Sequence, residues 1–505
     1  MTLVIVDGMN LTIEETVAVA REPTDVRVSQ QTLQRAESSR ESVERAIADG
    51  RTIYGVTTGF GALANRTIEA SEIQTLQKNI ILSHHTAVGQ PLPEDAVRAS
   101  MLIRLNSLAR GNSGVRPEIL TMLVEMLNHR VHPVVPEQGS VGASGDLSQL
   151  AHMAAVMIGF GQAQHNKGVF DGREALERAG LAPLTLEAKE GLALTNGTSV
   201  SAGSAVLALW DSERLLETAE VAGAMSLEAL KGMSQPFEEE IHTARSYKGQ
   251  IVTAARLRKL TKGSSLVDSD VMKVQDAYSL RCIPQVYGAI REALAFVRRL
   301  LHIEINSATD NPLIFPERGL FLSGGNFHGH SVALTMDLLS TSIASLGNIC
   351  ERRIFRLLNE HLSDGLPAFL VKKTGLNTGY MMLQYTAASL ASENKILAHP
   401  ASVDTISTSA DQEDFNSMSL ISATKASRIV RNVEKIVAIE LLCAAQALDL
   451  REPLKPGLGT KEAKAVVRSR VPLLEEDRDL SEDLRLVFEL VRSGEILRRV
   501  GSLLG

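Results

Sequence analysis

The chain has 505 residues, 44% of them hydrophobic and 22% charged, a globular composition with ample length for a buried core and not a disordered one. Its formal net charge of −7 excludes binding driven by a large positive field, so nucleic acid is not an expected partner. Three cysteines, Cys282, Cys350 and Cys443, are too few and too widely spaced for a disulfide framework or a zinc site, and suit a reducing compartment.

Aromatic residues make up only 4%, while Leu, Ala, Glu and Arg are plentiful, a balance that favours helices over strands. The N-terminus lacks a basic start and meets Asp7 before any long apolar run, so no signal peptide is expected and the cytoplasm is the expected location. A helix is predicted from about Gln31 to Asp49, with Leu33, Ala36, Val43 and Ile47 inward and Gly50 as its stop. Between Gln162 and Ala175, Lys167-Gly168 and Asp171-Gly172 predict a small hairpin. The stretch Gly191 to Trp210 is free of charge, but Thr195, Asn196, Thr198, Ser199, Ser201 and Ser204 make it too polar to span a membrane.

Long proline-free gaps, Pro183–Pro236, Pro316–Pro367 and Pro400–Pro453, leave room for long helices. In the second gap Met336, Leu339, Ile343, Leu346, Cys350, Ile354 and Leu357 recur at steps of three and four and form one helical face. Cys350 on that stripe is a small buried apolar residue. Ile429, Val433, Ile436, Ile439 and Leu442 repeat the pattern in the third gap. Ser481, followed by Glu482 and Asp483, predicts an N-cap opening a helix through Val491. No internal repeat and no linker divides the chain. The expected fold is mainly α: one large unit, residues 1–505, built as an elongated bundle of long helices. Within it, approximately 1–200 form a smaller, loop-rich N-terminal region carrying the active-site loops. Approximately 201–450 form the central bundle and approximately 451–505 a C-terminal helical segment. Neutral helices apolar on several faces predict burial between subunits.

The irregular segments carry the chemistry. Glu137 to Ser148 is a Gly/Ser-rich turn entering an apolar helix. It is compatible with a plain turn in which Asp146 or Ser148 is the N-cap. An anion site lacks the P-loop lysine, and a nucleophilic serine lacks the G-x-S-x-G elbow. Within it, Gly142-Ala-Ser-Gly-Asp-Leu147 resembles the signature of the aromatic amino acid ammonia-lyase family. Arg51-Thr-Ile-Tyr-Gly-Val-Thr-Thr-Gly-Phe-Gly61, Lys189-Glu-Gly-Leu-Ala-Leu-Thr-Asn-Gly-Thr198, Val274-Gln-Asp-Ala-Tyr-Ser-Leu-Arg-Cys282, Asn306-Ser-Ala-Thr-Asp-Asn-Pro312 and Gly324-Gly-Asn-Phe-His-Gly329 resemble further family segments, in family order. The resemblance covers most of residues 50–450.

It implies that Ala143-Ser144-Gly145 cyclises and loses two waters to give 4-methylidene-imidazol-5-one (MIO). That group is an electrophile for the substrate amine or, in an older alternative, for its ring. The glycine nitrogen carries no neighbouring side chain and can reach the Ala143 carbonyl. The resemblance assigns Tyr278 as the base that removes a β-proton and Tyr54 as a second catalytic tyrosine. A phenol is a poor base at neutral pH unless positive charge or hydrogen bonding favours phenolate. Arg281 is implied to pair with the substrate carboxylate, Asn196 and Gln275 to orient the carboxylate or the prosthetic group, and Phe327 to pack near both.

Substrate choice is implied by two further segments. Leu82-Ser-His-His-Thr-Ala-Val-Gly89 resembles the selectivity segment, with Ser83-His84 as in the histidine-specific branch. In Asp411-Gln-Glu-Asp-Phe-Asn-Ser-Met418, Glu413 stands where that branch has glutamate and the phenylalanine- and tyrosine-specific branches have glutamine. A carboxylate suits imidazole N–H donors, whereas a phenyl ring would leave it unpaired. Met381 matches a pocket position of the same branch. His85, Asp411, Phe415, Asn416 and Ser419 depart from its pattern.

The implied reaction is elimination of ammonia from L-histidine to trans-urocanate by a homotetramer with shared active sites. A tyrosine or phenylalanine lyase, an aminomutase, a lyase for a modified histidine, and a catalytically dead helical scaffold are the alternatives. A metallo-enzyme using His84, His85, His328 and His330 has no H-E-x-x-H or Cys/His cluster behind it, so no metal is expected. The partner is a small aromatic L-amino acid, with neither nucleic acid nor membrane.

Overall fold

The computed structural model describes residues 3–504. Helix dominates it, as composition predicts: the described residues form nineteen α-helices and nine short strands, the strands gathered in four sheets of two or three. The four longest helices are Ser199–Ala229, Ile283–Glu304, His330–Leu358 and Ser419–Leu450; three lie in the three proline-free gaps, and Ile283–Glu304, outside them, carries Pro284 in its first turn. The predicted stripe is fully buried: Met336, Leu339, Ile343, Leu346, Cys350, Ile354 and Leu357 are all 0% exposed. Ile429, Val433, Ile436, Ile439 and Leu442 are buried in the same way. The His330–Leu358 helix is long and apolar enough to cross a membrane, but 67% of its apolar window is buried inside the protein, the pattern of a core helix.

Several local expectations shift by a residue or two. The early helix runs Gln30–Ala48, opened by the Ser29 side chain, which accepts the Thr32 N–H. Gly50 follows it at φ +65°, the left-handed stop that glycine provides. The hairpin exists as Gln162–His165 against Gly168–Asp171. Its turn is Asn166-Lys167, both at positive φ, and not the predicted Lys167-Gly168; Asn accepts that conformation and lysine follows it. Ser481 is not an N-cap. It is the first residue of the Ser481–Ser493 helix after Leu480, and its N–H is held by the Asp479 carboxylate at 2.9 Å.

The chain divides into two compact units, each assembled from three segments. One comprises Met1–Ala208, Arg298–Asp337 and Pro400–Ser427; the other Leu209–Val297, Leu338–His399 and Arg428–Gly505. Four of the five boundaries fall inside the four longest helices, so each of those helices belongs to both units and no linker marks the division.

In the first unit, the Ile73–His84, Leu147–Met157 and Glu190–Thr195 helices pack against one another. They carry His84 at a C-terminus, Ser144 just before an N-terminus and Asn196 just after a C-terminus. Packing of three apolar helices therefore converges three polar positions that lie far apart in sequence.

The core of the second unit holds a buried ion pair between long helices. Arg353 donates to Glu440 at 2.5 and 2.9 Å, with both side chains 0% exposed. The same guanidinium donates to the Tyr287 hydroxyl at 2.6 Å and to the Ser279 carbonyl at 3.2 Å. The last bond ties down the short Tyr278–Arg281 helix. Burial pushes the Cys350 thiol beside this network up to about 12, so it is an inert core residue.

Candidate active site

Residues 142–145 form a tight turn: Gly142, Ser144 and Gly145 stand at φ +86°, +50° and +81°. A left-handed serine is sparsely populated and persists only where its surroundings impose it. The Gly145 N–H points back to the Gly142 carbonyl at 3.3 Å, the Ser144 carbonyl accepts from Gly197 N–H at 3.0 Å, and the Gly197 carbonyl accepts from Asp146 N–H at 2.8 Å. Ser140 Oγ donates to the Gly145 carbonyl at 2.8 Å. A Cβ at Gly145 would collide with the Gly197 carbonyl, so only glycine allows this approach. The clamped turn leaves a side-chain-free nitrogen two residues beyond a carbonyl, which fits the ring closure that Ala143-Ser144-Gly145 implies.

Asp146 takes the expected N-cap position without the expected capping bond. Its backbone opens the Leu147–Met157 helix, but its side chain does not cap that helix. Oδ2 instead accepts from Val200 N–H, Ser201 N–H and Ser201 Oγ at 2.9, 2.8 and 3.1 Å. The carboxylate thus sits on the N-terminus of the Ser199–Ala229 helix, where unpaired amides favour an anion. Burial nevertheless pushes its carboxyl up to about 6.

A cavity of about 890 Å³ opens beside the turn and is lined by Ser144, Tyr54, Phe60, His84, Asn196 and Glu413, among others. Tyr54 Oη accepts the Gly61 N–H at 3.0 Å. Burial raises the phenol above its ordinary range, offset in part by the Gly61 N–H bond and reinforced by the Glu413 carboxylate, so it is protonated at neutral pH. His84 pairs with Ser83 Oγ at 3.0 Å through Nδ1. Burial lowers its pKa, partly offset by Glu413, so the ring is neutral at pH 7. Glu413 Oε2 accepts from Thr408 Oγ1 at 2.9 Å.

Asn196 is held from behind. Its Nδ2 donates to Asp310 Oδ1 at 3.1 Å and to the Asn311 carbonyl at 3.2 Å, which commits the amide nitrogen and leaves Oδ1 for the cavity. Asp310 is bound by Lys189 Nζ at 2.6 Å, both side chains 0% exposed. Arg104 Nη1 donates to the Asn196 carbonyl at 2.7 Å. Sequence reasoning assigned no role to Lys189, Asp310 or Arg104, although the first two stand inside quoted family segments.

Gln275, Tyr278 and Arg281 line a different hollow of about 640 Å³ in the second unit. The Arg281 guanidinium lies 4.5 Å from the Tyr278 ring centroid, a cation–π contact. The Gln275 amide lies against the same guanidinium and hydrogen-bonds it only with its oxygen turned toward the cation. Tyr278 is 71% exposed. Half-buried Phe327 and half-buried Met381, the first residue of the Met381–Leu397 helix, line neither hollow.

His85 stacks on His152 with ring centroids 3.7 Å apart and planes 23° from parallel, and Ala87 N–H donates to His152 Nε2 at 3.2 Å. The pair joins residues 85–87 to the Leu147–Met157 helix. Burial, then the neighbouring His85, pushes His152 down to about 4. A folded-state pKa below the unfolded 6.5 gives stability that is present above pH 6.5 and is lost as pH falls toward 4. Relative to His152→Gln, the wild-type protein should therefore lose about 1.4 kcal/mol per pH unit over that window. Unfolding midpoints of the two proteins between pH 7 and 4 check this, and parallel curves would refute it. His328 and His330 pack instead with Phe415, at centroid distances of 6.0 Å each.

The family model for aromatic amino acid lyase matches residues 11–469. The chain belongs to the aromatic amino acid lyase family. The family match together with the full-length histidine ammonia-lyase relatives makes it a carbon–nitrogen lyase. A histidine ammonia-lyase of Caldanaerobacter subterraneus subsp. tengcongensis is 50% identical over 508 residues, covering 100% of each chain. Among solved structures, a tyrosine aminomutase from Streptomyces globisporus superposes with TM-score 0.95 at 40% identity, covering 99% of each chain. A histidine ammonia-lyase from Trypanosoma cruzi superposes with TM-score 0.93 at 42% identity, covering 100% of this chain and 96% of the other. The lyase fold and the aminomutase fold are therefore one architecture, and the side chains of the cavity must separate the reactions.

Proposed function

We propose that this lyase eliminates ammonia from L-histidine to give trans-urocanate, using an MIO group formed from Ala143-Ser144-Gly145. The observation that carries the reading is the convergence of His84 and Glu413 on the cavity that Ser144 and Tyr54 also line. A neutral imidazole beside a carboxylate is a polar end that an imidazole substrate satisfies through its ring nitrogens. A phenyl ring would leave the carboxylate without a donor from the substrate ring, at a cost of about 1–3 kcal/mol. The histidine ammonia-lyase relatives at about half identity over full length support the same substrate.

When formed, the prosthetic group supplies an electrophilic alkene that makes the substrate amine a better leaving group. The residues do the rest. Tyr54, protonated and accepting from Gly61, has its hydroxyl hydrogen to give to the departing nitrogen or its neighbours. Asn196 offers Oδ1 to a donor of the substrate or the prosthetic group. Arg281 binds the substrate carboxylate and Tyr278 takes the β-proton. These two, with Gln275, Phe327 and Met381, complete the site in a homotetramer whose subunits share their cavities. Supporting that assembly, Val271, Met272 and Val274 are 83–90% exposed beside Gln275 and Tyr278, an apolar surface that another copy of the chain would cover. The composition and the absence of a disulfide framework support a cytoplasmic setting.

Incubating the purified protein with single L-amino acids and identifying each product tests the reading. Trans-urocanate from L-histidine is the expected dominant product. Coumarate or cinnamate as the main product, or a β-amino acid, would replace it with one of the sister reactions.

A further inference from the structure

The hairpin that presents Glu413 is built from polar contacts that the sequence reading did not use. Thr408 and Glu413 pair through their backbones, N–H to carbonyl at 3.0 and 3.3 Å. The turn between them places Ser409, Ala410 and Asp411 at φ +51°, +51° and +62°, a strained run for non-glycine residues. Ser407 Oγ braces it by donating to the Asp411 carboxylate, and Ser409 Oγ accepts the Ala62 N–H at 3.2 Å from the loop that also carries Tyr54.

Asn416, a departure from the histidine-branch pattern, is 3% exposed and does not line the cavity. Its Nδ2 donates to the Ile406 carbonyl at 2.6 Å, to the Glu413 carbonyl at 3.1 Å and to Thr408 Oγ1 at 3.3 Å. Two hydrogens serve three acceptors, so one is shared between the last two. Its backbone N–H is taken by Thr405 Oγ1 at 2.7 Å. A threonine hydroxyl has one hydrogen and two lone pairs. Accepting from Asn416, Thr408 is oriented to give that hydrogen to Glu413 Oε2 at 2.9 Å, a charge-assisted bond.

We propose that Asn416 and Thr408 are positioning residues that fix the Glu413 carboxylate through this relay, holding Oε2 so that Oε1 faces the ring of the substrate. The inference rests on the proposed reading of Glu413 as the partner of an imidazole. A free glutamate side chain samples many rotamers, and fixing it before substrate arrives removes an entropic cost from binding. Asn416 therefore supports the imidazole site from behind and does not redirect the cavity toward another ring.

The test is the steady-state kinetics of Thr408→Val, Thr408→Ser, Asn416→Ala and Glu413→Gln with L-histidine, each variant checked for its near-ultraviolet cofactor absorbance and unfolding midpoint. Thr408→Val keeps the shape and loses the donor. Its KM should rise about tenfold, the worth of one hydrogen bond to a charge, with the loss in KM and not in kcat. Thr408→Ser should restore it, Asn416→Ala should move KM the same way, and Glu413→Gln should raise KM at least as much as Thr408→Val. A defective Glu413→Gln with a normal Thr408→Val, or a serine that rescues nothing, overturns the relay. A Glu413→Gln variant with unchanged KM overturns the reading of Glu413 itself and the relay with it.

Discussion

Replacing Ser144 with alanine should leave a folded protein with turnover of L-histidine reduced about a thousandfold or more, the scale seen when the reacting group of an active site is removed. The near-ultraviolet absorbance of the prosthetic group should disappear with it. Alanine keeps the Cβ and fills the same turn, so the bonds from Gly197 and Ser140 that clamp residues 144 and 145 remain. What is lost is the hydroxyl whose departure would create the proposed methylene. Ser144→Ala with wild-type rate and absorbance would show that the turn is only structural. Near-wild-type turnover without the absorbance would show that another group supplies the electrophile.

The second large effect is expected behind the cavity wall, at the anchor of Asn196. Lys189 and Asp310 form an ion pair at 2.6 Å with neither side chain exposed. Lys189→Met removes the cation and strands a carboxylate that also holds Asn196 Nδ2 and the Asn311 N–H. Losing one partner of a buried pair costs about 3–5 kcal/mol. The nearby Arg104 cation, which interacts with Asp310, places the expected loss at the lower end. A lower unfolding midpoint should therefore accompany weaker substrate binding, because Asn196 loses its anchor. The double variant Lys189→Met/Asp310→Asn should be less destabilised than the sum of its parts, since it leaves no unpaired charge. Strict additivity would mean that the two side chains do not interact in solution.

Much of this architecture was legible before the structure. The apolar stripes from Met336 to Leu357 and from Ile429 to Leu442 follow helical periodicity, and burial follows periodicity directly. Ser144, Tyr54, His84, Asn196 and Glu413, which line one cavity, could be singled out because each lies in a short contiguous segment that resembles a family segment. The partners of those residues were not legible. Asp146 reads locally as the cap of its own helix, yet it serves a helix start 54 residues away. Lys189 finds Asp310 across 121 residues. Such bonds leave no periodic trace, because they depend on which loops the packed helices bring together. Ser481 failed for a smaller reason: the helix begins one residue early, with the Leu480 carbonyl accepting from Leu484 N–H, so Ser481 is its first residue and its own exposed N–H is taken by the Asp479 carboxylate. Asn416 appeared as a mismatch to the substrate branch, and the structure gives it a place behind the cavity wall.

The proposed chemistry depends on one covalent event, and intact-protein mass spectrometry of the purified, histidine-active enzyme reads it most directly. The chain should be lighter than its sequence by two waters, the deficit should map to the peptide containing Ala143-Ser144-Gly145, and Ser144→Ala should not show that deficit. An active enzyme at full sequence mass would contradict the account.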